Sequence, residues 1–189
     1  MKKLDLYLKY RDQIKTGDAI QWKSESVLGY MIRLFERIPA NKKNIPGANV
    51  NHTALAMIFK EYDKDRRYCT EALEHGIDVN VLSVRFAKYK GKVWWLPLLD
   101  RYDTDIIRMA IGSFAMSHVG IGYDYLSIFK QTRRKVAVDK KRLFCSEHYY
   151  VSINEAFTDL GIPQRQMLFA PQPNDIPFMG IHKLGVRIF

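Results

Sequence analysis

Residues 52–59 read HTALAMIF, an unbroken apolar run behind one histidine, with turn-forming stretches on either side, NKKNIPGANVN before it and EYDKDRR after it. An apolar run of this length, bounded by turns, predicts a strand buried on both faces, since a strand with one wet face alternates polar and apolar residues instead. The turn EYDKDRR sends the chain back through YCTEAL, the turn EHGID leads into the β-branched run VNVLSVRF, and KVWWLPLL supplies a further strand rich in aromatics. Short polar turns between such runs join antiparallel neighbours, so the segment predicts an antiparallel meander or barrel.

Helical spacing flanks this sheet. Leu4, Tyr7, Leu8 and Ile14 share one side of a helical wheel, and Thr16-Gly17-Asp18 makes a turn before a short strand over Ala19–Trp22. Ser24 or Ser26 then caps a helix carried by Val27, Met31, Leu34, Phe35 and Ile38, stopped at Pro39. Beyond the meander, Ile106, Ile107, Ala110, Ile111 and Phe114 mark a helix capped by Asp103 or Thr104 and broken at Gly120 and Gly122. A last helix opens at LFCSEHYY and keeps its rhythm through Tyr149, Ile153, Ala156, Phe157 and Leu160 until Gly161 and Pro163. The proline-rich remainder predicts an extended tail over the surface. Helices before and after an antiparallel sheet make an α+β fold, and 189 residues suit a single domain, 1–189, with a full core.

Composition narrows the classes. With 47% apolar and 26% charged residues, the chain is neither fibrous nor disordered. Its longest apolar run falls far short of the roughly 20 residues of a membrane-spanning helix, and Asp5, Lys9, Arg11 and Asp12 interrupt any signal-peptide core. Cys69 and Cys145 are the two cysteines and suggest no disulfide framework, so a reduced cytoplasmic setting is expected. The net charge of +10 gathers in QTRRKVAVDKKR. Through Arg133, Arg134, Lys140 and Lys141 it offers an anionic lipid or nucleic acid a surface, although most such runs simply face water and no nucleic-acid-binding motif accompanies this one.

The chemistry-bearing stretch is LFCSEHYY. A thiol in the first turn of a helix feels the positive end of the macrodipole and unpaired backbone N–H groups, which favour the thiolate. The plainer alternative for Cys145 is a small buried hydrophobe. Three histidines compete as its base. His148 lies on the same helix and points along its surface, His118 sits at the end of the preceding helix as a C-terminal cap, and His52 opens the buried strand, where a rigid scaffold can hold it against a helix start. Cys145 and His148 would make half of a zinc site, but no second cluster completes it, so neither metal nor cofactor is expected.

Taken in order, TGDAIQW, NHTALAM, TEALEHGIDV, GIGYDY and FCSEHYY resemble the circularly permuted branch of the NlpC/P60 superfamily, the YiiX/YaeF-like papain-fold proteins, over about residues 16–157. The resemblance implies a permuted papain-like fold and a cysteine amidase or peptidase acting on a peptide, amide or acyl substrate. It makes Cys145 the nucleophile, His52 the base and acid, and Glu71 of TEAL the residue that orients the imidazole, with Glu61 a substitute in the turn. It also puts the Cys145 backbone N–H in the oxyanion hole, Tyr123 and Asp124 either at the substrate pocket or bracing the chain, and Ser24 and Trp22 at the cleft border, with packing the plainer role for Trp22. One departure stands out: the family's histidine is usually followed by Val-Gly or Val-Ala, whereas His52 is followed by Thr-Ala, and MSHVGI keeps His118 as an alternative base. FCSEHY also resembles in part the signature of lecithin:retinol acyltransferase-like proteins, which would imply lipid acyl transfer, but Ser146 interrupts it. A binding protein without turnover on the same fold, or a basic nucleic-acid-binding protein, is the third expectation.

Overall fold

The computed structural model describes residues 3–24, 44–61, 64–123, 142–163, 167 and 170–189. The predicted helix over residues 26–39, Asp124, and the basic residues Arg133, Arg134, Lys140 and Lys141 lie outside them.

In chain order the elements are α1 (Lys3–Tyr10), β1 (Ala19–Ser24), β2 (His52–Glu61), β3 (Lys64–Leu73), β4 (Gly76–Val81), α2 (Leu82–Lys88), β5 (Gly91–Leu96), α3 (Asp105–Ser117), β6 (Gly122–Tyr123), β7 (Arg142–Leu143), α4 (Cys145–Asp159) and β8 (Val186–Arg187). Six strands form one antiparallel sheet in the order β4-β3-β2-β1-β5-β8, while β6 and β7 pair separately and in parallel. The sheet is open rather than a closed barrel. The meander holds from β2 to β4, but β5 then crosses to pair with β1, Ile20 opposite Trp95, and the tail contributes an edge strand through Val186 opposite Trp95.

Alternation along the strands sorts the core into two layers. Ala19, Leu55 and Met57 join Ile111, Ala115, Tyr149, Ile153 and Phe157 of α3 and α4 on one face. Ile20, Trp22, Ala54, Ala56 and Cys69 join Tyr7, Leu82 and Phe86 of α1 and α2 on the other. Helices on both faces explain why β2 reads as a continuous apolar run. Three expectations change accordingly. VNVLSVRF is not one strand: it turns into α2 at Leu82 because Leu82 and Phe86, four apart, both bury in the second layer. Leu4 and Leu8 face solvent, leaving Tyr7 and Ile14 to anchor the N-terminus. Ile106 is likewise exposed, since α3 buries the stripe through Ile107 and Ile111 instead.

The elements that carry the site are pinned locally. Thr104 caps α3, its hydroxyl accepting from the Ile107 N–H at 3.4 Å. Gly76, at φ 117, turns β3 into β4 where any Cβ would lie 2.6 Å from the Ile121 carbonyl oxygen. That carbonyl accepts from the Ile77 N–H at 2.9 Å, tying the chain after α3 to the sheet. Asp18 of the TGD turn is buried and accepts from Trp95 Nε1 at 2.7 Å, from the Leu98 N–H at 3.2 Å and from Arg108 Nη1 at 3.0 Å. Burial raises its pKa, partly offset by the Arg108 charge.

Candidate active site

Strand pairing and a helix start bring three chemistry-bearing residues together. β2 and β3 pair with Leu55 opposite Thr70, and continuing that register sets Glu71 diagonally across from His52, on the same face. At that diagonal, His52 Nε2 lies 2.8 Å from Glu71 Oε2. Cys145 lies close enough to the His52 ring for the two groups to shift each other's protonation. The first turn of α4 delivers Cys145: Phe144 is the cap residue, and the Glu147 carboxylate reaches back to accept from its N–H at 3.5 Å.

The charges reinforce one another. Burial alone would pull the His52 imidazole down, but the Cys145 thiolate and then Glu71 outweigh it and raise its pKa to about 9. Burial pushes the Cys145 thiol up, yet the His52 imidazolium and the backbone N–H groups of Thr53 and Ser146 bring it below its ordinary value. Burial would also raise Glu71, but its hydrogen bonds to His52 and Arg85 lower it to about 2. A thiolate on Cys145 and an imidazolium on His52 thus each favour the other, with the Glu71 carboxylate behind the ring. Cys145 is 5% exposed, so the sulfur is shielded from bulk water and attraction to the imidazolium is strong.

Glu71 is itself braced. Arg85 Nη2 donates to Oε2 at 2.7 Å, Arg85 Nε stands 2.5 Å from Oε1, and Asn80 Nδ2 donates to Oε1 at 3.2 Å. Arg85 in turn lies over the Trp22 ring, 5.4 Å from its centroid. Sequence reasoning missed Arg85 and Asn80, because both fall in the run read as a single strand; the signal that existed was the spacing of Leu82 and Phe86 on either side of Arg85.

The remaining residues singled out from sequence are placed around this group. His148 is fully buried, its Nε2 3.0 Å from Thr70 Oγ1, and burial with the neighbouring His118 lowers its pKa to about 3. His118 caps α3 and sits 2.9 Å from Glu155 Oε2, partnered away from Cys145. Trp22 is wholly buried against Phe86 and Tyr89 and so packs beneath the site rather than lining an open cleft. Ser24 is half-buried at the end of β1, where its N–H donates to Asn51 Oδ1 at 2.8 Å. Glu61 is at the far end of β2, paired with Tyr68 and Arg66. The Tyr123 backbone pairs with Leu143 in β6 and β7, immediately before α4.

A crystal structure of the metalloprotein YiiX from Escherichia coli O157:H7 matches this chain with a TM-score of 0.56 at 19% identity, over 77% of this chain and 68% of that one. The fold is YiiX-like. Compared by sequence, the chain matches no protein-family model and no curated protein. Among the described residues of this YiiX-like chain, no group of three or more His, Cys, Asp and Glu side chains is arranged to hold a metal ion. Among the same residues, no helix is long and apolar enough to cross a membrane.

Proposed function

We propose that this protein is a cysteine hydrolase of the permuted NlpC/P60 type, cleaving an amide, thioester or ester through an acyl-enzyme on Cys145. The observation that carries the proposal is the grouping of Cys145, His52 and Glu71, with His52 Nε2 held 2.8 Å from Glu71 Oε2 and the Cys145 charge acting on the same ring. In the reaction the thiolate attacks the carbonyl carbon, a C–S bond forms, and the carbonyl electron pair moves onto oxygen. The resulting oxyanion is met by the backbone N–H of Cys145 at the start of α4. Collapse expels the amine, thiolate or alkoxide, which takes its proton from the His52 imidazolium. The now neutral imidazole removes a proton from water, the hydroxide attacks the thioester, and the Cys145 thiolate leaves with His52 protonated again. Glu71 orients the ring throughout and stabilises its cationic form.

An activated ester such as p-nitrophenyl acetate tests this by intact-mass spectrometry. The expected result is an acetyl group on Cys145 that forms and is lost in the unmodified protein, is absent in Cys145→Ala, and builds far more slowly in His52→Ala. An acetyl group distributed equally over Cys69 and Cys145, or one indifferent to His52, refutes it.

A further inference from the structure

Beyond the three residues, the line continues to a fourth. Arg85, on α2, contacts both oxygens of Glu71, at 2.7 Å from Nη2 to Oε2 and 2.5 Å from Nε to Oε1, so Oε2 faces His52 and Arg85 together. The thiolate, imidazolium, carboxylate and guanidinium then alternate in sign and sum to zero. We propose that Arg85 is a positioning residue that takes up the charge of Glu71, so that the Glu71–Arg85 pair presents itself to His52 as a nearly neutral hydrogen-bond acceptor. The proposal rests on the hydrolase reading given above.

The physical need is a proton that can leave. An imidazolium serves as a general acid only if its pKa stays near the working pH, and His52 is already raised to about 9. A buried carboxylate with no second counter-ion would hold the His52 proton more tightly still, since opposite charges in a site shielded from water attract strongly. Arg85 offsets that attraction while keeping the carboxylate in place to orient the ring. Its guanidinium is held in position from two sides, lying over the Trp22 ring at 5.4 Å and carried by a helix anchored through Leu82 and Phe86.

The other groups around Glu71 leave this role to Arg85. On β3 itself, the Cys69 thiol is 3.7 Å from Oε1, and burial with the Glu71 charge raises its pKa well above the usual thiol value, keeping it neutral. On β4, Asn80 is uncharged and Asp78, opposite Glu71 in the register, is exposed. From α2 and its end come Arg85 and the Tyr89 hydroxyl, the latter among the lesser influences on Arg85. From β2 comes His52, with Cys145 of α4 behind it. Arg85 is thus, among the described residues, the cation in direct contact with Glu71 apart from His52.

The test is the NMR titration of the His52 ring in the full chain, assigned by a His52→Gln spectrum, for the unmodified protein, Arg85→Met, Arg85→Lys, Glu71→Gln and the double variant Glu71→Gln/Arg85→Met. The expected result is that Arg85→Met raises the proton affinity of His52 about tenfold or more, one pH unit upward. Arg85→Lys should shift it less, and Arg85→Met should shift nothing once Glu71 is already Gln. An unchanged His52 titration in Arg85→Met overturns the proposal, as does an equal shift in the Glu71→Gln background, which would mean that Arg85 acts on His52 without Glu71. If Arg85→Met does not fold, folding of the charge-balanced double variant supports the proposal, and its failure to fold assigns Arg85 to packing and overturns it. This readout needs no turnover, so an inert Cys145 would refute the hydrolase and leave the Arg85 result legible.

Discussion

His52 Nε2 and Glu71 Oε2 lie 2.8 Å apart although nineteen residues separate them in the chain, because the turn after Glu61 folds β3 back along β2. Glu71 is fully buried, and a buried charge depends on its partners. Glu71→Gln removes the carboxylate shared by His52 and Arg85 and should cost about 3–5 kcal/mol, the range found when one member of a buried ion pair is deleted. Urea unfolding near neutral pH measures it; a loss within experimental error would show that the pair contributes nothing net.

The same carboxylate sets an acid limit. Burial opposes its ionisation, but His52 and Arg85 hold its pKa at about 2, below the roughly 4.3 of an unfolded glutamate. Its contribution to stability is therefore fully present above about pH 4.3 and is lost as pH falls through about 2. Stability should decline over that window in the unmodified protein and be flatter in Glu71→Gln, as followed by urea midpoints against pH.

How much of this was legible in the sequence varies by element. The Cys145 helix and the His52 strand were, because each is long enough for its periodicity to show which face is buried: Tyr149, Ile153 and Phe157 on the helix and the unbroken run from Ala54 to Met57 on the strand all enter the core. Glu71 came from the family resemblance, which the polar turn and the strand it returns supported. The crossing of β5 to β1 was not legible, since it joins segments some seventy residues apart and neighbouring strands are the default partners. Neither was α2, whose seven residues hold two β-branched or aromatic side chains that read equally well as strand, so the choice falls to tertiary burial of Leu82 and Phe86. Arg85 was hidden with it.

Coupling between Cys145 and His52 predicts a downward shift. Burial lowers the imidazole pKa, and the Cys145 charge is the largest influence opposing it. In Cys145→Ala the His52 ring should therefore titrate below about 9, nearer its ordinary value, in an NMR titration. A titration unchanged from the unmodified protein would mean that the sulfur and the ring do not interact.

His118 separates a structural histidine from a functional one. It bonds Glu155 at 2.9 Å and packs edge-on to His148 at 5.5 Å. His118→Ala should cost about 1–3 kcal/mol through the buried partners it leaves unsatisfied, while the alkylation rate of Cys145 stays within about twofold. A large fall in that rate with the fold intact would return His118 to consideration as the base.

The proposed hydrolase requires Cys145 to react as a thiolate at neutral pH with His52 beside it, and the rate of its alkylation by iodoacetamide as a function of pH tests this most directly. Cys145 should react much faster than the buried Cys69 at about pH 7, with a rate that stays high well below the roughly 8.5 at which an ordinary thiol ionises, and His52→Ala should return the inflection to ordinary or higher pH. Equal labelling of the two cysteines in the native protein, or a profile for Cys145 that His52→Ala leaves unmoved, would contradict it.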